Sequence, residues 1–155
     1  YHRKEIAFMN SLSSLFNGKS FERTIRQYCE DQSWEIDTLD SEHAVITFRM
    51  SSGRKQALWI VKHGTTIEFS VPSALTFDSE DDLPGFISNL LLRSNATNKI
   101  GFWCIEEISD KFVYSFMHNA EMDLLNSEYF ARVARFLAQE CDRLEGVVLD
   151  ALGKS

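Results

Sequence analysis

Between residues 43 and 71 apolar and polar positions alternate with a period of two. Ala44, Ile46, Phe48 and Met50 alternate with His43, Val45, Thr47 and Arg49, the pattern of a half-buried strand. Ser51-Ser52-Gly53 supplies a hairpin turn into a strand through Leu58, Trp59, Ile60 and Val61. His63-Gly64 turns again into Ile67, Phe69 and Val71, with Thr66, Glu68 and Ser70 on the other phase. Trp34 to Leu39 is expected to form the first strand, joined through Asp40-Ser41, and Pro72 to close the meander. Short turns between consecutive strands imply antiparallel pairing.

Helical spacing surrounds this block. Phe21, Ile25, Tyr28 and Cys29 form one stripe of a helix ending near Gln32, with Ser20 placed to cap it. A looser helical spacing, Ile6, Phe8, Met9, Leu12, Leu15 and Phe16, precedes it and stops at Asn17-Gly18. After the meander, Asp78, Glu80, Asp81 and Asp82 run into Leu83-Pro84, and acids with an early proline suit a helix N-terminus. The spacing predicts a helix over 81–94 with Phe86, Ile87, Leu90 and Leu91 inward. Strands over 100–108 and 112–117 follow, joined at Ser109-Asp110. A last helix over 127–152 carries Phe130, Val133, Ala134, Leu137, Cys141, Leu144 and Val148 on one face, with Gly153 as its stop. The expected fold is therefore α+β: an antiparallel sheet packed with helices in the order α-ββββ-α-ββ-α. The 155 residues suit a single domain, with 1–19 as an N-terminal extension on a core of 20–153.

One sheet face is plain from the alternation: Ala44, Ile46, Phe48, Ile67, Phe69 and Val71, with Phe112, Tyr114 and Phe116 in the last strand. The opposite phase is not cleanly polar. Two-sided strands mean either that the final helix or a larger core covers the second face, or that a partner does. The candidate partner-binding or dimer face is Trp59, Val61, Trp103, Ile105, Val113 and Met117, centred on the two tryptophans, because tryptophan concentrates at interfaces.

Charge and chemistry narrow the function classes. At −7, with none of the 16 Lys and Arg residues in a block, the chain is ill suited to nucleic acid. Cys29, Cys104 and Cys141 lack CxxC spacing and read as reduced core thiols, which suits a cytoplasmic location. No apolar run reaches the roughly 18 residues of a membrane span, so no membrane is expected. His2, His43, His63 and His118 fall in no metal-ligand spacing, and the 78–82 acids do not fit a calcium loop. Neither a phosphate-binding glycine loop nor a GxSxG elbow occurs. No cofactor, metal or catalytic residue is expected. Asn95-Ala96-Thr97 matches a glycosylation sequon.

The stretch Leu90-Leu91-Leu92-Arg93-Ser94-Asn95, then Gly101-Phe102, a hairpin through Asp110, and Asp123-Leu124-Leu125 before a long helix resembles the type III secretion chaperone-like fold. With Trp34 after the first helix, the chain is most similar to the YbjN-like branch. The resemblance spans roughly residues 20 to 150 and implies an acidic, homodimeric α/β sandwich without catalytic residues. It further implies a chaperone or adaptor that holds a peptide segment of a partner protein. The YbjN-like members are labelled sensory-transduction regulators, so the alternative it implies is a regulator responding to a small ligand.

Overall fold

The computed structural model describes residues 20–151 and Gly153; the apolar run at 6–16 and the proposed extension 1–19 lie outside the described residues. The elements are α1 (Phe21–Gln32), β1 (Thr38–Leu39), β2 (His43–Arg49), β3 (Lys55–His63), β4 (Thr66–Phe77), α2 (Gly85–Asn95), β5 (Phe102–Ile108), β6 (Lys111–Glu121) and α3 (Ser127–Ala151). Single turns of 3-10 helix, Glu80–Asp82 and Met122–Leu124, lead into α2 and α3. The strands form one antiparallel sheet in the order β1-β2-β3-β4-β6-β5. Class and element order agree with the sequence pattern.

The register explains which residues go inside. Ala44, Ile60 and Phe69 lie on one rung, and Ile46 faces Leu58. Val71, Phe116 and Trp103 share another rung of the same face. The stripe of α3, from Phe130 to Leu144, is buried against this surface, as are Phe21, Ile25, Tyr28 and Cys29 of α1. Tyr28 tilts against Phe130 and donates its hydroxyl to the Leu125 carbonyl at 2.9 Å. Trp34 packs edge-on to Phe48 beneath the Arg135 guanidinium, which lies 5.2 Å from the ring centre. The C-terminal half of α3 is fixed by a buried carboxylate. Glu145 accepts from Gln56 Nε2 at 2.8 Å and from the Ala74 N–H at 2.7 Å. Arg54 bonds neighbouring Asp142 through Nε at 2.9 Å.

Four local expectations change. Only Thr38–Leu39 of the 34–39 segment pairs as a strand. Pro72 does not close the meander; β4 runs through it to Phe77. The reason is that β4 pairs with β3 only as far as Ser70, so proline sits where one side of the strand has no partner to miss its N–H. The register then slips between Pro72 and Thr76, and Glu145 takes up the Ala74 N–H that the slip frees. Third, the acids 80–82 form the separate 3-10 turn, so α2 starts later than expected, after Pro84, and buries only Ile87 and Leu91. Fourth, Ser20 stands at the N-cap of α1 without a side-chain cap bond.

The start of β5 depends on a close approach. Gly101 has φ +75°, and a Cβ there would lie 2.7 Å from the Phe116 ring. Its N–H donates to His118 Nδ1 at 3.2 Å, which leaves the ring proton on Nε2, 2.9 Å from the Tyr129 hydroxyl. Burial holds His118 below its ordinary pKa of 6.5. With the native pKa depressed, the unfolded chain takes up the proton first as pH falls. The stabilisation is therefore complete above about pH 6.5 and is lost as pH drops through the lowered native value. Urea unfolding between about pH 7.5 and 5 should show stability decreasing with acidity, and His118→Gln should flatten that slope. Parallel curves for the two proteins would contradict this role.

Candidate protein-binding face

All three described helices lie on the face that carries Ala44, Ile60, Phe69 and Phe116. On the other, Val45, Trp59, Ser70, Met117 and Phe102 share a rung. Pro72, Ser115 and Cys104 share the next, and Val113 and Glu106 pair beyond the slip. No described helix crosses this side. Strand β6 nevertheless keeps Val113, Ser115 and Met117 buried there. Side chains of the flanking strands close over them. Glu106 of β5 accepts a hydrogen bond from the Ser70 hydroxyl of β4 at 3.0 Å, a bridge thrown across the intervening strand. Cys104 Sγ lies 3.7 Å from the Ser115 carbonyl and 3.1 Å from Met117 Sδ.

The result is a concavity of about 460 Å³, within the range of ligand sites. Trp59, Val61, Pro72, Ile108 and Val113 give its apolar walls, while Glu68, Ser70 and Glu106 line its polar part. Trp59 is 48% exposed despite its size, the largest such side chain on this face. Lys111 stands at the rim, ion-paired with Asp78.

The six sequence-proposed residues do not form one face. Trp59, Val61, Val113 and Met117 share the side that no described helix crosses, Trp59 exposed, Val61 half-buried and the other two closed over. Trp103 and Ile105 have the opposite phase. Trp103 pairs with Phe116 and is 3% exposed, its ring 4.7 Å from the Phe116 ring. Ile105 pairs with Tyr114 and is 45% exposed, beside Leu92 of α2. Phe102, Cys104 and Glu106 take the places expected of Trp103 and Ile105. Apolar residues in both phases of β5 gave no way to choose between them; the pairing with β6 decides.

Each edge of the sheet is covered over a short stretch. β1 is two residues long. On β5, Asn95 of α2 acts as a substitute strand: its Oδ1 accepts the Trp103 N–H at 2.7 Å and its Nδ2 donates to the Trp103 carbonyl at 3.0 Å. The sequon nitrogen is thus committed to the fold.

A second apolar hollow, of about 490 Å³, lies between α2 and the end of α3. Leu75, Phe77, Phe86, Leu90, Leu144 and Val147 are among its lining residues. Phe86, expected inward, is 76% exposed at its mouth, and Leu90 is exposed beside it. The thiols are held protonated: burial first, then Glu30, raises Cys29 to about 11, and burial followed by nearby carboxylates pushes Cys104 and Cys141 higher still.

The opposed settings of the tryptophans can be read by quenching and by unfolding. Trp59→Ser should remove most acrylamide-accessible emission and change stability by under about 1 kcal/mol, whereas Trp103→Ser should cost about 3 kcal/mol or more. Equal losses would contradict the assigned phases.

No family model matches the chain, and no curated protein matches it. A solved structure does: YbjN from E. coli, described as a candidate transcription regulator. It superposes with a TM-score of 0.52 at 16% identity, covering 84% of this chain and 92% of that one. Likeness at this identity is one of fold, and it concerns YbjN rather than the type III secretion chaperones. The chain has the YbjN-like α+β fold.

Proposed function

We propose that this chain is a non-catalytic protein-binding domain, cytoplasmic and homodimeric, which holds a segment of a partner protein against the helix-free face of its sheet. One observation carries the proposal: a half-exposed tryptophan set in a concavity on a face that no described helix covers. At Trp103 strand addition is blocked, because Asn95 occupies its backbone groups. The partner therefore docks side chains into the concavity. Capture of a partner from host extract by purified chain should be lost with Trp59→Ser and kept with Leu124→Ser, a control that is also exposed but does not line the concavity. Retention of the same partner by Trp59→Ser would sink the assignment of this face. Light scattering should give twice the 17.8 kDa chain mass.

The apolar hollow between α2 and α3 supports a second reading, a regulator that responds to a small apolar ligand. Under it, medium-chain fatty acids or similar amphiphiles should raise the melting temperature by a few degrees through preferential binding to the folded state. Leu90→Asp should abolish the rise, and a melting temperature indifferent to every such compound would eliminate this reading.

A further inference from the structure

The concavity on the open face carries charge as well as apolar surface. Trp59 and Ser70 are opposite each other across β3 and β4. Ser70 is bonded to Glu106, which brings that carboxylate beside the indole's rung. Glu68 lies two residues along β4 from Ser70, on the same face and diagonal to Trp59, a relation of roughly 7–8 Å that long side chains span. Two carboxylates thus flank one indole, between walls of Val61, Pro72, Val113 and Ile108. Both also bear on the Cys104 thiol, which burial and then Glu106 and Glu68 push up to about 12.

The two carboxylates are engaged only in part. Lys111 is paired outward with Asp78, and His63 approaches Glu68 at 3.7 Å on the rim. Oε1 of Glu68 and Oε1 of Glu106 have no partner among the described residues. Below the wall, on the Pro72–Cys104 rung, the Ser115 hydroxyl is buried without a hydrogen bond among the described residues.

These groups select by chemistry. An apolar side chain placed here would strip water from two carboxylates and return nothing to them. A bare calcium ion asks for six or more oxygens, which this hollow does not offer. An organic cation satisfies the indole, the two carboxylates and the apolar walls together. Guanidinium fits better than ammonium: it is planar, weakly hydrated, stacks on an indole and donates in several directions at once. We propose that the concavity receives an arginine side chain of the partner segment, stacked on Trp59 and hydrogen-bonded to Glu68 and Glu106. This rests on the protein-binding reading above and adds to it the chemistry of the partner.

The test uses the indole N–H signals of the full chain, whose three tryptophans, Trp34, Trp59 and Trp103, are assigned by Trp→Phe variants. The probe is acetyl-Ala-Leu-Arg-Leu-Ala-amide, compared with twins carrying lysine, citrulline or leucine at the centre. The arginine peptide should move the Trp59 signal saturably, with binding weakened as salt rises. Citrulline keeps the shape and loses the charge, and should bind at least about tenfold more weakly. Glu68→Gln with Glu106→Gln should cause a similar loss, while unmoved Trp34 and Trp103 signals show that the variant is folded. Equal binding of the citrulline or leucine twin, or unchanged binding by the double variant, would overturn the arginine assignment and leave the protein-binding face standing. A Trp59 signal unmoved by all four peptides would also overturn it, and the Trp59→Ser capture experiment then judges the broader reading separately.

Discussion

The fold is organised by the apolar stripe of α3 lying across the middle of the sheet. Phe130, Val133, Ala134, Leu137, Cys141 and Leu144 share one side of the helix over about four turns, so one helix can bury the inner sides of β3, β4 and β6 together. The carboxylate of Glu145 then fixes how far along the sheet the helix sits, by taking the Ala74 N–H at the slip in β4 and the Gln56 amide from β3. With α1 and α2 placed on either side of it, the inner face is complete. Among the described residues the outer face is closed only by its own side chains, the Ser70–Glu106 bridge among them. That closure stops at Trp59, which is 48% exposed among the described residues.

Much of the scaffold was legible because burial on one face imposes a strict period. The stripes of α1 and α3 and the alternation in β2 and β4 each had a single consistent assignment, and the register bears them out. The candidate site was legible only in part, for a physical reason. In β5 both phases are apolar, so local sequence carries no information on which side faces inward; Trp103 is set by its pairing with Phe116, a residue 13 positions away. Nothing local to Glu106 in the sequence indicates its bridge over a neighbouring strand. Phe86 and Leu90 follow helical spacing yet line a hollow instead of filling it, since the space between α2 and α3 depends on where both helices end.

The comparison with YbjN fits this division. A backbone arrangement can persist at 16% identity because it asks only for apolar periodicity and suitable turns. Turn chemistry shows the same tolerance: Ser109 and Asp110 both take positive φ at the β5–β6 hairpin without a glycine. A binding face depends on individual side chains, and Trp59, Glu68 and Glu106 have to be judged in this chain on their own geometry.

Asn95 has a consequence for the protein as a population of molecules. A sheet that ends in a bare strand can recruit another sheet, and a head-to-tail contact of that kind repeats without closing, giving filaments instead of particles of fixed size. The amide of Asn95 presents one N–H and one C=O in the manner of a peptide unit and so takes the place of one residue of a seventh strand. A single side chain at a helix end thereby removes one docking point for another strand at Trp103.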